Sequence, residues 1–266
     1  MEKINGIAFY DQGVRGTTPI VLIHGFPFNH QMWGPQSQVL SKTYRVISYD
    51  VRGHGLSEVG DGQYSVELFV NDLILLLDYL KLESAILCGL SMGGYIALRA
   101  AERHPERVKA LVLCDTKSEA DGNEAKIKRA TSALTVKKNS VALFAEEFAK
   151  TVLTENTLKQ KPFLVRSVVD FIQGNTSTGI AGTLLALAAR TDTTAALPRM
   201  SFPTLLLVGA EDKLTPPQNA EAMSKLLLYS ELHVIPQAGH LSNLENPEVF
   251  NEKLLTFLNN LVVRHS

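Results

Sequence analysis

The sequence lacks the features that mark several large classes of protein. It has only two cysteines, Cys88 and Cys114, and each lies inside an apolar run, so we expect small core residues and not a disulfide scaffold. No apolar run approaches the roughly 18 residues that a membrane-spanning helix needs. The first residues, MEKINGIAFYDQG, lack the apolar segment of a signal peptide. We therefore expect a soluble, cytoplasmic protein with no membrane partner.

The sequence also lacks a strong net charge and any recognisable metal-ligand motif. The formal net charge is −1, so no excess of basic residues points to nucleic acid or to an anionic lipid surface. No CxxC, HExxH or clustered His/Cys spacing predicts a metal site. With 45% hydrophobic and 20% charged residues in 266, the composition is that of one large globular domain, or of a domain with a sizeable insertion.

Strand-like and helix-like patterns alternate over the first 116 residues. Apolar runs such as PIVLIHG and SAILCGL are typical of buried strands. Ser65 to Leu80 predicts a helix with Ser65 as its N-cap, and Met92 to His104 predicts another that Pro105 stops. The alternation predicts an α/β fold with a mainly parallel sheet and helices on both faces.

The alternation stops after residue 116 and resumes after Pro203. Three stretches in between have helical patterns: SVALFAEEFAKTVL, TLKQKPFLVRSVVDFI and TSTGIAGTLLALAAR. We therefore predict a core formed by residues 1–116 and 200–266 and a helical insertion at 117–199. The insertion contains twelve Lys or Arg and eight Asp or Glu residues, which favours an anionic ligand nearby or, more simply, a solvated helix surface.

The pattern G-x-S-x-G occurs at the junction of a predicted strand and a predicted helix, around Ser91. In that context the serine sits on a sharp turn with its hydroxyl exposed, and the flanking glycines leave room for the turn. The N-terminus of the following helix presents N–H groups where an oxyanion would form. Ser91 is thus predicted to be a nucleophile, and a simple N-cap serine is the alternative.

A serine nucleophile needs a base and an acid that orients the base. Asp212 follows the strand TLLLVG, and His240 lies in the loop after the last strand. Both belong at the carboxyl edge of the sheet, where Ser91 also lies. Asp115, which also ends a strand, is the rival acid; Asp212 is preferred because it falls between the serine and the histidine in the chain.

Two backbone N–H groups are candidates for the oxyanion hole. One belongs to Met92, the residue after the serine, and the other to Phe26, in the loop after VLIHG. Phe26, Phe28 and Trp33 are predicted to wall an apolar acyl site, with ordinary packing under the loop as the alternative.

These residues resemble the α/β-hydrolase superfamily, in particular small bacterial carboxylesterases and 3-oxoadipate enol-lactonases. The resemblance rests on VLIHGFPFNHQMW, YDVRGHGLS, CGLSMGGYIAL, LVGAEDKLTP and AGHLSNLENP. It implies an eight-stranded sheet whose second strand is antiparallel, with a helical cap at 117–199 between strands six and seven. Relatives that carry Asp as the nucleophile, the haloalkane dehalogenases and epoxide hydrolases, differ at Ser91.

The sequence therefore predicts a serine hydrolase of small-molecule carboxylic esters that needs no cofactor or metal. An enol-lactonase is the main alternative, and its substrate carboxylate would need a cation such as Arg129, Arg166 or Arg190. A C–C hydrolase, a thioesterase, a perhydrolase and a non-catalytic binding protein on this fold also remain open. The sequence does not distinguish a monomer from a homodimer.

Overall fold

An eight-stranded sheet organises the protein, as described by a computed structural model over residues 1–263. Its strand order is β1-β2-β4-β3-β5-β6-β7-β8. Strand β2 is antiparallel to β1 and β4, and the remaining neighbours are parallel. This confirms the predicted α/β-hydrolase fold and its antiparallel second strand. The strands are β1 (Glu2–Ile4), β2 (Ile7–Gly13), β3 (Pro19–Ile23), β4 (Arg45–Tyr49), β5 (Ala85–Leu90), β6 (Val108–Cys114), β7 (Thr204–Gly209) and β8 (Ser230–Ile235).

Three of the central strands are buried along their whole length. Strands β3, β5 and β7 have no exposed residue, as expected when helices cover both faces of a parallel sheet. Strand β1 was missed in the sequence, because its three residues are exposed or half-exposed and show no apolar pattern. The carboxyl ends of β5, β6 and β7 lie side by side, since Leu90 pairs with Cys114 and Cys114 pairs with Leu207.

Helices flank the sheet. They are α1 (Gly34–Leu40), α2 (Val66–Tyr79), α3 (Met92–Arg103), α9 (Pro217–Leu226), α10 (Ser242–Glu245) and α11 (Pro247–Val263). Ser65 caps α2 through its hydroxyl, which accepts the Leu68 N–H at 3.1 Å, as predicted. Helix α3 packs against β3, β5 and β6, α2 packs on α3, and α11 packs against β7 and β8.

Residues 117–199 form helices and no strand. They are α4 (Asn123–Lys138), α5 (Val141–Val152), α6 (Glu155–Gln160), α7 (Pro162–Gln173) and α8 (Ser177–Ala188), followed by a 3₁₀ turn at Thr194–Arg199. The single helix predicted for TLKQKPFLVRSVVDFI is wrong: Pro162 lacks an N–H and begins α7 after a break at Lys161. Within residues 1–263, every helix is too short or too polar to cross a lipid bilayer.

Candidate active site

Ser91 is the single residue between β5 and α3, and its backbone conformation is strained. Its φ is 52° and its ψ is −110°, a region that a residue with a side chain adopts at a cost of about 1–3 kcal/mol. Three hydrogen bonds hold it there. The Ser91 N–H donates to Cys114 O at 2.9 Å, and the Ser91 carbonyl accepts from Tyr95 N at 3.1 Å and from Thr116 Oγ1 at 2.8 Å.

The glycines around Ser91 are required by close backbone contacts. A Cβ on Gly89 would lie 2.2 Å from the Gly93 carbonyl oxygen, and one on Gly93 would lie 2.1 Å from the Ile23 oxygen. Real Cβ atoms do not approach backbone oxygens this closely, so larger residues would push α3 away from β3 and β5. The glycines thus let the helix start directly behind the serine.

A hydrogen-bonded pair, Asp212 and His240, lies at the same edge of the sheet. His240 Nδ1 is 2.8 Å from Asp212 Oδ2, and both side chains are almost completely buried. Thr215 donates its hydroxyl to Oδ2 at 2.7 Å and its N–H to Oδ1 at 3.1 Å. Burial alone would raise the pKa of Asp212, but the charge and hydrogen bond of His240 and the Thr215 donors hold it below its usual value.

Asp115, the rival acid, bonds elsewhere. Its Oδ1 accepts the Gly209 N–H at 2.8 Å, and its Oδ2 accepts from the Ser242 hydroxyl. The carboxyl is fully buried, and burial together with the nearby charge of Asp212 raises its pKa well above the usual value. Asp115 therefore connects the ends of β7 and α10 without a hydrogen bond to His240.

A cavity of about 340 Å³ opens between the sheet edge and helices α4, α5 and α8. This volume suits a small organic molecule. Ser91 and His240 both contribute to its wall, as does Thr215 beside Asp212. Its other lining residues are Phe26, Tyr95, Lys117, Asp121, Ala125, Lys128, Arg129, Ser132, Phe144, Phe148, Leu184, Leu187 and Leu214.

Among the described residues, two backbone N–H groups near the cavity have no hydrogen-bond acceptor. Met92 is the first residue of α3, so its N–H has no intrahelical acceptor. The hydrogen bonds found over residues 1–263 include none from the Phe26 N–H, and Phe26 lines the cavity. Both N–H groups remain candidates for the predicted oxyanion hole.

Aromatic rings from α5 form one wall of the cavity. Phe148 packs against Phe26 and Phe144 with ring centroids 5.7 and 5.6 Å apart. Phe28 and Trp33, predicted as pocket residues, are fully buried and do not reach the cavity surface; Phe28 supports Phe148 from beneath. The α5 rings were missed because their spacing is also that of an ordinary amphipathic helix.

Cationic side chains occupy another part of the wall. Lys117, Lys128 and Arg129 line the cavity against a single carboxylate, Asp121. Arg129 pairs with Asp121, which also binds the buried guanidinium of Arg190 at 2.7 Å.

The three arginines named from the sequence therefore lie in different places. Arg129 lines the cavity, whereas Arg190 stacks on the Tyr95 ring at 4.3 Å behind the wall. Arg166 is exposed and pairs with Asp170. Over residues 1–263, no group of three or more His, Cys, Asp or Glu side chains is arranged to hold a metal ion.

Comparison with known families agrees with the observed fold. The family model described as the alpha/beta hydrolase fold matches residues 18–247. The chain belongs to this family. Its fold and enzyme relatives support hydrolase activity.

Individual members of the family are similar over almost the whole chain. 3-Oxoadipate enol-lactonase 2 of Acinetobacter baylyi is 31% identical over 223 residues, which cover 84% of this chain and 82% of that protein. The malate-bound structure of a thermophilic esterase from Thermogutta terrifontis has a TM-score of 0.92 and 36% identity, over 96% of this chain and 93% of the other. The enol-lactonase structure from Burkholderia xenovorans has a TM-score of 0.89 and 28% identity, over 96% and 98%. Esterases and lactonases thus both occur among similar hydrolases.

Proposed function

We propose that this protein is a serine hydrolase that cleaves carboxylic esters of small molecules through an acyl-enzyme intermediate. The observation that supports it most is the 2.8 Å contact between His240 and Asp212 beside a cavity that Ser91 also lines. Similarity to a thermophilic esterase agrees with it. The cytoplasmic location expected from the sequence is part of the same proposal.

The reaction follows from the roles of three side chains. Asp212 accepts a hydrogen bond from the Nδ1–H of His240 and so keeps that proton on Nδ1. Nε2 is then unprotonated and can take the proton of the Ser91 hydroxyl as its oxygen attacks the ester carbonyl. The imidazolium then protonates the departing alcohol. Water attacks the acyl-enzyme with His240 again as base, and the acid leaves as Ser91 regains its proton.

The negative charge that develops on the carbonyl oxygen in each tetrahedral intermediate needs hydrogen-bond donors. The Met92 and Phe26 N–H groups fill this role in our proposal, and loss of one such donor typically raises the barrier by about 3 kcal/mol. Both are main-chain groups, so their side chains are free to shape the cavity. The Phe26 ring does so as part of the aromatic wall.

A comparison of two serine variants tests the proposal. Ser91→Ala should lower kcat for p-nitrophenyl acetate by at least about 10⁴-fold and abolish labelling by a fluorophosphonate. Ser201→Ala, which removes the hydroxyl of an exposed serine outside the cavity wall, is the matched control and should keep both. Wild-type turnover by Ser91→Ala would refute the assigned nucleophile.

A lactone hydrolase of the enol-lactonase type is the second candidate. The observation in its favour is the cationic part of the wall, where Lys117, Lys128 and Arg129 outnumber Asp121. Lys117 has no salt-bridge partner within residues 1–263, in contrast to Arg129. Its ammonium group is thus free to pair with a carboxylate on the substrate.

A substrate panel with lysine variants separates the two candidates. It compares short aryl esters, long-chain esters, acyl thioesters and a carboxylate-bearing lactone. For a lactonase, Lys117→Gln should raise KM for the anionic lactone about threefold to fivefold, the size of one partly screened ion pair, and leave KM for p-nitrophenyl acetate unchanged. Lys126→Gln, on the exposed side of α4, is the control; equal rates for charged and neutral lactones would argue against this candidate.

A further inference from the structure

Glu245 places a buried carboxylate at the end of α10, five residues after His240. The residue is 1% exposed. Its Oε1 accepts the Gly239 N–H at 2.7 Å, and its Oε2 accepts both the N–H and the hydroxyl of Thr154 at 2.9 Å. Both oxygens are therefore occupied by donors, which offsets the cost of burying the charge.

These donors belong to two separate parts of the chain. Gly239 directly precedes His240, whereas Thr154 lies between α5 and α6, 91 residues away from Glu245. A second connection joins the same two parts, because the His240 N–H donates to the Val152 carbonyl at 3.0 Å. The backbone of His240 is thus held against the C-terminal end of α5 by adjacent hydrogen bonds.

The loop before His240 packs closely against the C-terminal end of α5, with little room for either to move. A Cβ on Gly239 would lie 3.0 Å from both Glu245 Oε1 and the Val152 oxygen. In addition, Lys161 at the start of α7 donates to the Glu245 carbonyl at 2.6 Å. The loop that carries His240 therefore follows the position of α5.

Helix α5 also supplies Phe144 and Phe148 to the cavity wall. One helix thus shapes the cavity with its middle residues and holds the His240 loop with its last turn. Movement of α5 relative to the sheet would alter both the cavity and the direction of the imidazole.

We propose that Glu245 is a positioning residue that fixes His240 relative to Ser91 and couples that placement to α5. The inference rests on the proposed role of His240 as the base. It assigns to Glu245 a contribution to the chemical step without contact to the substrate.

Glutamine at this position has nearly the same shape but only one acceptor oxygen. In Glu245→Gln, the amide NH₂ must face either Gly239 N–H or the Thr154 donors, so one connection is lost. A displacement of a catalytic group by about 1 Å can cost about 10²-fold in rate. We expect kcat for p-nitrophenyl acetate to fall by 10- to 100-fold with KM within about twofold.

The control is Glu248→Gln, the same change on an exposed residue of α11, which should leave kcat unchanged. Fluorophosphonate labelling of Ser91 in Glu245→Gln should slow by the same factor as kcat, because that reaction also needs the base but no acyl substrate. Thr154→Val removes one donor to Oε2 and keeps the backbone N–H. It should lower kcat by a smaller factor, about threefold to tenfold, the equivalent of one hydrogen bond, and Thr154→Ser should restore it.

Several results would overturn the inference about Glu245. Wild-type kcat and labelling rate in a folded Glu245→Gln would overturn the inference, as would a rise in KM alone. If Glu245→Gln does not fold, unchanged kcat in Thr154→Val overturns it. Failure of the proposed function has a different signature, since Ser91→Ala would then keep its activity and its labelling whatever happens at Glu245.

Discussion

Replacing Asp212 and Asp115 separately with asparagine tests which carboxylate supports the base. Asp212 Oδ2 lies 2.8 Å from Nδ1 of His240, the proposed base. An asparagine there favours the wrong imidazole tautomer, with the proton on the nitrogen that should face the serine. In a serine protease this change costs about 10⁴ in kcat, which corresponds to about 5 kcal/mol. We expect a loss of this size in Asp212→Asn.

Asp115→Asn should be mild by comparison. Burial and the charge of Asp212 raise the pKa of Asp115 well above the usual value, so the fold destabilises the charged carboxylate relative to an uncharged group such as the asparagine amide. The asparagine oxygen can still accept from Gly209 N–H, and its NH₂ can donate to the Ser242 hydroxyl, which turns to accept. One reversed neutral hydrogen bond contributes about 1 kcal/mol, so the loss in kcat should stay below about tenfold.

The assay is the initial rate with p-nitrophenyl acetate, with thermal melting of each variant to show that it is folded. Stability against pH gives an independent check. An acid whose pKa is raised in the folded state stabilises the fold below its unfolded pKa, 3.8 for Asp115, and this contribution is lost as pH rises. Wild-type stability relative to Asp115→Asn should therefore decline from pH 3 towards neutrality. Loss of turnover in a folded Asp115→Asn, with Asp212→Asn still active, would refute the assignment.

Three further predictions concern packing, acid stability and selectivity. Gly93→Ala places a Cβ 2.1 Å from a backbone oxygen of β3, so unfolding in urea should show a loss of about 1–3 kcal/mol or more, whereas Gly34→Ala, in open space, should show none. Burial lowers the pKa of His24 to about 4 and that of His54 to about 3. Because each pKa unit corresponds to about 1.4 kcal/mol, the free energy of unfolding should fall by several kcal/mol as pH drops from 6.5 to 3. A free energy of unfolding that does not change over this pH range would contradict the prediction. Phe148→Ala opens the aromatic wall and should raise the ratio of long-chain to acetyl ester hydrolysis; an unchanged ratio argues that acyl chains bind elsewhere.

Much of the fold could be predicted from the sequence because its strands are buried and its helices amphipathic. The helix predicted over Ser65 to Leu80 is observed at Val66–Tyr79, within one residue at each end. Helix α4 escaped notice because only Ala133 and Val136 of its sixteen residues are buried, so it has no apolar stripe.

The elements of the candidate site differ in how far the sequence determines them. The turn at Ser91 depends on local steric contacts that require glycine at positions 89 and 93, so the sequence alone indicates it. Asp212 and His240 follow strands, so the rule that ligands gather at the carboxyl ends of strands places them correctly near each other. The expectation that Phe28 and Trp33 face the cavity depended on which way a loop turns, and no local pattern determines that.

The residues of the cavity wall could not be predicted from the sequence for a related reason. Phe148 and Lys117 come from elements whose relative placement depends on long-range contacts, such as the one between Glu245 and Thr154. Short motifs therefore mark the residues of the candidate site, whereas the shape and charge of the cavity, and the placement of His240 against α5, depend on long-range packing.

This division implies that helices α4 and α5 affect catalysis in different ways. Helix α4 contributes Lys128, Arg129 and Ser132 to the cavity wall, and its main packing partner is α8. Substitutions on its cavity face should therefore act on substrate binding alone. Helix α5 contributes the aromatic wall and also holds the backbone of His240 through Val152. In our proposal, a larger substrate that displaces α5 also displaces His240, the proposed base. Bulky substrates should therefore have a lower kcat and not only a higher KM.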